Sequence, residues 1–374
     1  MRKILIVTSS YIFIRGFLIP HIKHLTENGW EVHVASKNDG TTIPYVHKQI
    51  DIPIQRSPFR VGNLIAVNQL KKVIKEERYD IVHCHTPIGA MVARLAAKDY
   101  RKSLGVKVIY MTHGLHFYMG AKRVNWLLYF TAEKFLARYT DAIITINSED
   151  CSNAKRYFPE IPHQYTTPGI GYDIKHVGET PRLSKAELRH QYGIKEDDFV
   201  CLYIARYTLD KNHKFLINSL KEIQKRIPKI KLMFVGDGEE MVSCRKLSTE
   251  LGVEQSVIFA GYQLNITDYL HMADVGVSPS VCEGLGLGLV EEMCIALPIV
   301  ASHVRGHRDL IEHGRNGLLY ELNSTEDFVE KLALLHNNPE KAREIGHNAQ
   351  IGIKKYAVEN IIPMIDDIYD AELS

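Results

Sequence analysis

Two doubly wound α/β domains, each built on a parallel sheet, are what this sequence predicts. Three observations carry the expectation. Short β-branched runs alternate with helical patterns from end to end, and the alternation restarts after about residue 175. The runs are continuously apolar, as strands covered on both faces are. A chain of 374 residues suits two domains at roughly 100–200 residues each, although length alone also admits one large barrel. With 45% hydrophobic and 24% charged residues, the composition excludes collagen, coiled coil and disorder as the dominant character.

Lys3–Thr8 reads as the first strand. The opening Met1-Arg-Lys-Ile-Leu-Ile-Val imitates a signal peptide, but the apolar run stops at Thr8-Ser9-Ser10 and Arg15 interrupts the next stretch. A helix over Phe17–Asn28, a strand over Glu31–Ala35 and a helix over Ile65–Glu77 come next. Strands at Asp80–His83 and Lys107–Thr112, a helix at Asn125–Arg138 and a strand at Asp141–Ile146 complete the first half. Pro168–Asp173, with the charged run Lys175–Arg182 behind it, reads as a linker. The second set of strands is Phe199–Ala205, Lys231–Val235, Val257–Ala260, Val275–Ser278 and Pro298–Ala301. Domains are expected at 1–173 and 178–357, with an amphipathic helix at Val358–Tyr369. Ligands of such folds bind at the carboxyl ends of strands, here in the cleft between two facing domains.

Several classes fall away. No apolar run nears the ~18–20 residues that span a bilayer. Six cysteines form no C-x-x-C pair, so neither a disulfide framework nor a zinc site is expected, and a reducing cytoplasm fits. Residues 1–180 hold 24 Lys and Arg against 15 Asp and Glu, and residues 181–374 hold 22 against 29. A basic first half either faces something anionic or reflects chance between two solvated surfaces. The pI of about 8.1 and the absence of any recognisable motif exclude nucleic acid as partner. The first turn, Thr8 to Gly16, has neither G-x-G-x-x-G nor a P-loop, which excludes the usual dinucleotide and NTP folds. Gly16 reads as the mouth of a helix, either a plain turn glycine or a place where phosphate reaches backbone N–H groups.

Three features gather at strand ends in the second half. Arg206 and Lys211 lie on a loop leading into a helix, where two cations suit a diphosphate. Gly236-Asp237-Gly238 closes the next strand as a tight turn. Then comes Glu283-Gly284-Leu285-Gly286-Leu-Gly288-Leu-Val-Glu291-Glu292. Its glycines bare the backbone at a helix start, and its carboxylates can accept from vicinal hydroxyls. Packing alone does not call for such a loop, since each glycine costs about 1 kcal/mol against alanine in a helix.

At this point the residues resemble a known family. Glu283 to Glu291 is similar to the E-x7-E motif of retaining glycosyltransferases of the GT-B fold, family 4 type. Arg206, Lys211, Val235-Gly-Asp-Gly238, Gly261-Tyr262, Pro279-Ser280, Gly306–Ile311 and Asn316-Gly317 resemble its other second-domain features. In the first half, Val82–Pro87 and Thr112-His113-Gly114 resemble its acceptor-side strand ends. The closest flavour is that of bacterial exopolysaccharide and capsule enzymes, and the resemblance covers nearly the whole chain.

The resemblance implies two Rossmann-like domains, with the helix at about 358–374 packed back on the first. It implies a UDP-sugar donor, the transferred group being a hexose or N-acetylhexosamine, and retention, giving an α-linkage. Arg206 and Lys211 would neutralise the leaving diphosphate, Glu291 would hold the ribose, and Glu283 with Gly284 and the amides of Leu285 and Gly286 the sugar. Gly16, Gly238 and Tyr262 would line the donor, and His113 would approach the reacting carbon. No D-x-D occurs, so no metal or other cofactor is expected. Arg15 stands where the family often has a second glycine, which puts a cation in place of a backbone contact or aims it at the acceptor.

Lys98, Arg101, Lys102, Lys122 and Arg123 flank the aromatic-rich segment Val124–Phe130. That pattern suits peripheral contact with the anionic inner face of a cell membrane and a polyprenyl-diphosphate-linked sugar as acceptor. The alternative is that Trp126, Leu127 and Phe130 are core. Two other functions share these features: a nucleotide-sugar epimerase or hydrolase of the same fold, and a non-catalytic nucleotide-sugar-binding partner of an assembly complex.

Overall fold

The structure is a computed structural model describing residues 1–55, 57, 60–177 and 180–374, without the side chains of Lys175 and His176. It divides into two compact units, Met1–Tyr172 with Val358–Ser374, and Asp173–Ala357. The expected start of the second domain, residue 178, lies outside the described residues.

The first unit carries seven parallel strands: β1 (Lys3–Val7), β2 (Glu31–Ser36), β3 (Lys48–Asp51), β4 (Ile81–His85), β5 (Lys107–Met111), β6 (Ala142–Thr145) and β7 (His163–Thr166), in the order β3-β2-β1-β4-β5-β6-β7. Its central strands are the continuous apolar runs of the sequence, and they are buried on both faces. The second unit carries β8 (Phe199–Ile204), β9 (Ile230–Val235), β10 (Val257–Gly261), β11 (Val275–Ser278), β12 (Ile299–Ser302) and β13 (Leu318–Tyr320), ordered β10-β9-β8-β11-β12-β13 and again all parallel. In each sheet the order reverses beside the first strand, which opens a crevice at the carboxyl edge.

The terminal helix Val358–Leu373 belongs to the first unit. Its Tyr369 ring packs against Trp30, and Asp366 meets His24 at 2.6 Å. The helix brings five acids and no Lys or Arg, so the first unit holds 23 basic against 18 acidic residues. The charge contrast between halves is therefore smaller between the folded units. Pro168–Asp173 is not a free linker. Gly169, Ile170 and Gly171 are buried, and Tyr172 accepts from the amide of Val358 at 2.9 Å.

Gly16 also differs from expectation. Ser10 caps a helix that begins at Tyr11, its side chain accepting from the Ile12 amide. The helix runs through a π turn, Ile14–Leu18, and on to Glu27, so Gly16 sits mid-helix. Arg15 is tied to Asp39 and Thr41 instead of standing free.

Two glycines should respond oppositely to alanine. A Cβ on Gly16 meets nothing within 4 Å, so Gly16→Ala should raise stability by about 0.5–1 kcal/mol. A Cβ on Gly346 falls 2.0 Å from the Ala296 carbonyl, and Gly346→Ala should cost about 1–3 kcal/mol. Thermal melts of both variants check the pair.

Candidate active site

In the second unit, β8 and β9 end side by side and their loops are stitched together. Tyr207 donates its amide to the Asp237 carbonyl at 3.0 Å, and Glu240 donates its own to the Tyr207 carbonyl at 3.1 Å. Gly236 and Gly238 lie at φ 147° and 154°, and a Cβ there would stand 2.0 Å from the Ala205 carbonyl and 2.5 Å from that of Tyr207. These glycines let two backbones touch. The loops bound a cavity of about 920 Å³ whose lining includes Arg206, Gly238, Tyr262, Leu264 and Glu291. Arg206 and Tyr262 are exposed in it.

Past β11 the chain builds a second cluster. Lys211 Nζ pairs with Glu283 Oε1, and Ser280 Oγ donates to the same oxygen at 2.7 Å. Arg305 Nε donates to the Glu283 carbonyl at 3.1 Å. Gly306, at φ 81°, packs where a Cβ would stand 2.8 Å from that carbonyl. His307 is buried beneath Gly286, its Nδ1 2.9 Å from the Ser302 carbonyl and its Nε2 3.2 Å from Ser278 Oγ. Gly286, at φ 106°, turns the chain into the helix Leu287–Cys294, while Leu285 is buried.

Neighbouring glutamates on that helix separate. Glu291 reaches the cavity, and burial pushes its carboxyl up to about 7. Glu292 is fully buried and its carboxylate fills the space a Cβ on Gly276 would need, so it is held well above the ordinary range.

The cavity thus brings together Arg206, Gly238, Tyr262 and Glu291. Lys211, Glu283, Gly284, Leu285 and Gly286 do not line it; they belong to the adjoining loop cluster. His113 and Gly16 stand in the first unit. His113 follows β5, its Nε2 3.1 Å from Nδ1 of His85 at the end of β4, with the Phe13 ring 4.7 Å away.

Known proteins resemble this chain along its length. The family Glycosyl transferases group 1 matches residues 184–351, and Glycosyltransferase Family 4 matches residues 21–166. EpsD of Bacillus subtilis (strain 168), a glycosyltransferase by name with no stated substrate, is 38% identical over 99% of this chain and 97% of its own. The chain belongs to the GT-B glycosyltransferases of group 1. An Escherichia coli relative, UDP-Gal:alpha-D-GlcNAc-diphosphoundecaprenol alpha-1,3-galactosyltransferase, is 26% identical over 82% of this chain and 80% of its own. Among solved structures, Anabaena HepE in complex with UDP-glucose superposes with a TM-score of 0.79 at 20% identity, over 99% and 100% of the two chains.

Other residues of this glycosyltransferase that shape the site went unassigned from sequence. Ser280, Arg305 and His307 hold the Glu283 loop, and His85 meets His113. The signal for His85 was present: His83 and His85 alternate in a strand and so share a face. For Arg305 and His307 only the fold shows what they touch.

Glu291 gives a pH signature. Its folded carboxyl titrates near 7 against 4.5 ordinarily, so the folded protein binds more protons between those values. Stability should therefore fall as pH rises from 4.5 to 7 and stay reduced above. Melting temperatures of wild type and Glu291→Gln, compared from pH 5 to 8, should diverge in favour of the Gln variant as pH rises.

Proposed function

We propose that this glycosyltransferase moves a hexose or N-acetylhexosamine from a UDP-sugar to a polyprenyl-diphosphate-linked sugar, with retention and without a metal, in surface polysaccharide synthesis. The observation that carries the reading is the cavity where the Glu291 carboxyl, the Arg206 guanidinium and the Gly236–Gly238 turn meet. It has the size of a small-molecule site and polar groups suited to a ribose and a diphosphate. The UDP-glucose complex of HepE and the donor and acceptor in the name of the Escherichia coli relative favour the same substrates.

In this reading Glu291 accepts from the ribose hydroxyls, and Arg206 and Lys211 neutralise the diphosphate. Glu283 and the amides of Leu285 and Gly286 hold the sugar, and His113 is assigned to the reacting carbon. Tyr262 and Gly238 line the donor. A direct contact from the Gly16 turn is no part of the proposal, because that residue lies within a helix. Lys211 enters already paired with Glu283; an ammonium has three donors and can keep that partner while adding a phosphate oxygen. The bond from the anomeric carbon to the phosphate oxygen breaks, and the acceptor oxygen bonds to that carbon on the same face. The acceptor proton leaves with the phosphate, and UDP departs. Cationic groups aimed at the leaving oxygens stabilise the charge that develops there.

The acceptor reading brings the membrane with it. Among the described residues no helix is long and apolar enough to cross a membrane. Trp126 and Phe130 pack on the core, but Val124, Leu127 and Leu128 are exposed beside exposed Lys122 and Arg123. This corrects the sequence expectation in part: the aromatics are core, and the aliphatics face out. We place this surface against the anionic inner face of the membrane, with the enzyme otherwise cytoplasmic.

Two measurements test the proposal. Calorimetric titration should show UDP binding that Glu291→Ala weakens at least tenfold, about the 1.4 kcal/mol of one good hydrogen bond to a charged group. GDP binding in preference to UDP would change the donor, and no nucleotide binding would end the reading. Sedimentation with anionic vesicles should decline with salt and with Leu127→Ser/Leu128→Ser; neutral vesicles should bind less. Equal binding to both vesicle types would remove the electrostatic part.

A further inference from the structure

His113 is one end of a row of imidazoles. His85 Nδ1 lies 3.1 Å from His113 Nε2, the two rings are 20° from parallel, and their centroids are 5.4 Å apart. That separation is the N···N distance plus one ring radius on each side. The contact is therefore edge to edge and nearly linear, the geometry of an N–H···N hydrogen bond. Behind it the His83 ring lies 4.2 Å from that of His85, and His83 Nδ1 meets the Tyr369 hydroxyl of the terminal helix at 2.6 Å. Phe13 packs against His113 and His85 at 4.7 and 5.6 Å.

All of these rings are neutral. Burial pushes His83 and His113 down to about 3 and His85 well below its ordinary value. A neutral imidazole has one N–H, so the His85–His113 contact has only two arrangements. In one, His113 Nε2–H donates to His85, and His85 must then carry its own proton on Nε2. That atom is buried with no partner among the described residues. In the other, His85 Nδ1–H donates to His113, and His85 Nε2 is left as a bare acceptor. Orphaned buried N–H groups are the rarer and costlier of the two, which selects the second arrangement. His113 then carries its proton on Nδ1, which has no partner among the described residues, on a side chain that is only partly buried.

We propose that His85 is a positioning residue that donates from Nδ1 to Nε2 of His113 and so fixes His113 in the tautomer whose Nδ1–H faces outward. His113 is thereby a hydrogen-bond donor to an oxygen of the bound sugar, and its ring is not the base that takes the acceptor's proton. The consequence for the sugar rests on the proposed placement of His113 beside the donor. The tautomer itself does not. The carboxyl edge of the first sheet thus presents a donor whose orientation is set from the neighbouring strand β4, through His85, with the Tyr369-anchored His83 packed behind it.

The test is a long-range 1H–15N correlation spectrum of the full chain labelled with 15N-histidine, with His113→Gln identifying the signals of His113. The expected pattern is a protonated Nδ1 and an unprotonated Nε2. A protonated Nε2 on His113 would overturn the proposal without any variant that perturbs His85. In His85→Phe the fixed pattern should give way to an average of both tautomers; in His85→Asn, whose amide can donate from near the Nδ1 position, it should return. An unchanged spectrum in His85→Phe would equally refute the assignment. In transfer assays His85→Phe should lower kcat about tenfold with donor KM within about twofold, and His85→Asn should recover most of it. Should the spectra follow expectation while His113→Gln transfers sugar at the wild-type rate, the positioning stands and the role of His113 at the sugar falls.

Discussion

Every strand in both sheets runs parallel to its neighbours, and the placement of the chemistry follows from that one constraint. A parallel sheet needs a crossover after each strand, so every loop that leads into a helix leaves from the same edge. Arg206, Gly238 and Glu283 come from loops after three different strands of one sheet, yet they gather at one edge because of it. His85 and His113 are neighbours for the same reason, as the ends of β4 and β5 lie side by side. The glycines serve the same geometry. Those at 236, 238 and 306 are where two such loops touch backbone to backbone, so their role begins with packing and reaches the ligand through the shape of the cavity.

The site that results is electrostatically self-contained. Lys211 already holds Glu283, Arg305 holds that residue's carbonyl, and Ser280 supplies a further donor. A cation so placed is pre-oriented and need not be ordered when a diphosphate arrives. Glu291 differs: burial raises its carboxyl, and among the described residues no cation pairs with it. On the first unit burial lowers His83, His85 and His113, and the geometry of that row, not its charge, carries the information.

The interior of both sheets was legible in the residues because buried parallel strands are continuous apolar runs. The three strands the pattern did not reveal, Lys48–Asp51, His163–Thr166 and Leu318–Tyr320, are all edge strands. The first two are polar and half exposed, and the third has three residues, so none shows the run that marks a central strand. Gly16 misled for a local reason: Ser10 caps the helix six residues earlier, and a π turn tolerates the glycine inside it. The Glu283–Glu291 loop was legible because its glycines and carboxylates have no packing rationale. Its supports were not, since Arg305 and His307 come from beyond the next strand and meet the loop only in the fold.

The central claim is sugar transfer from a UDP-sugar to a lipid-linked acceptor. The most direct measurement incubates the enzyme with radiolabelled UDP-hexoses and UDP-N-acetylhexosamines, a polyprenyl-diphosphate-linked sugar and a chelator, then extracts the lipid. The account predicts label in the lipid fraction for one donor, dependent on both substrates and undiminished by the chelator, with an α-anomeric product. Release of UDP at the same rate with no acceptor, and no label in the lipid, would contradict it.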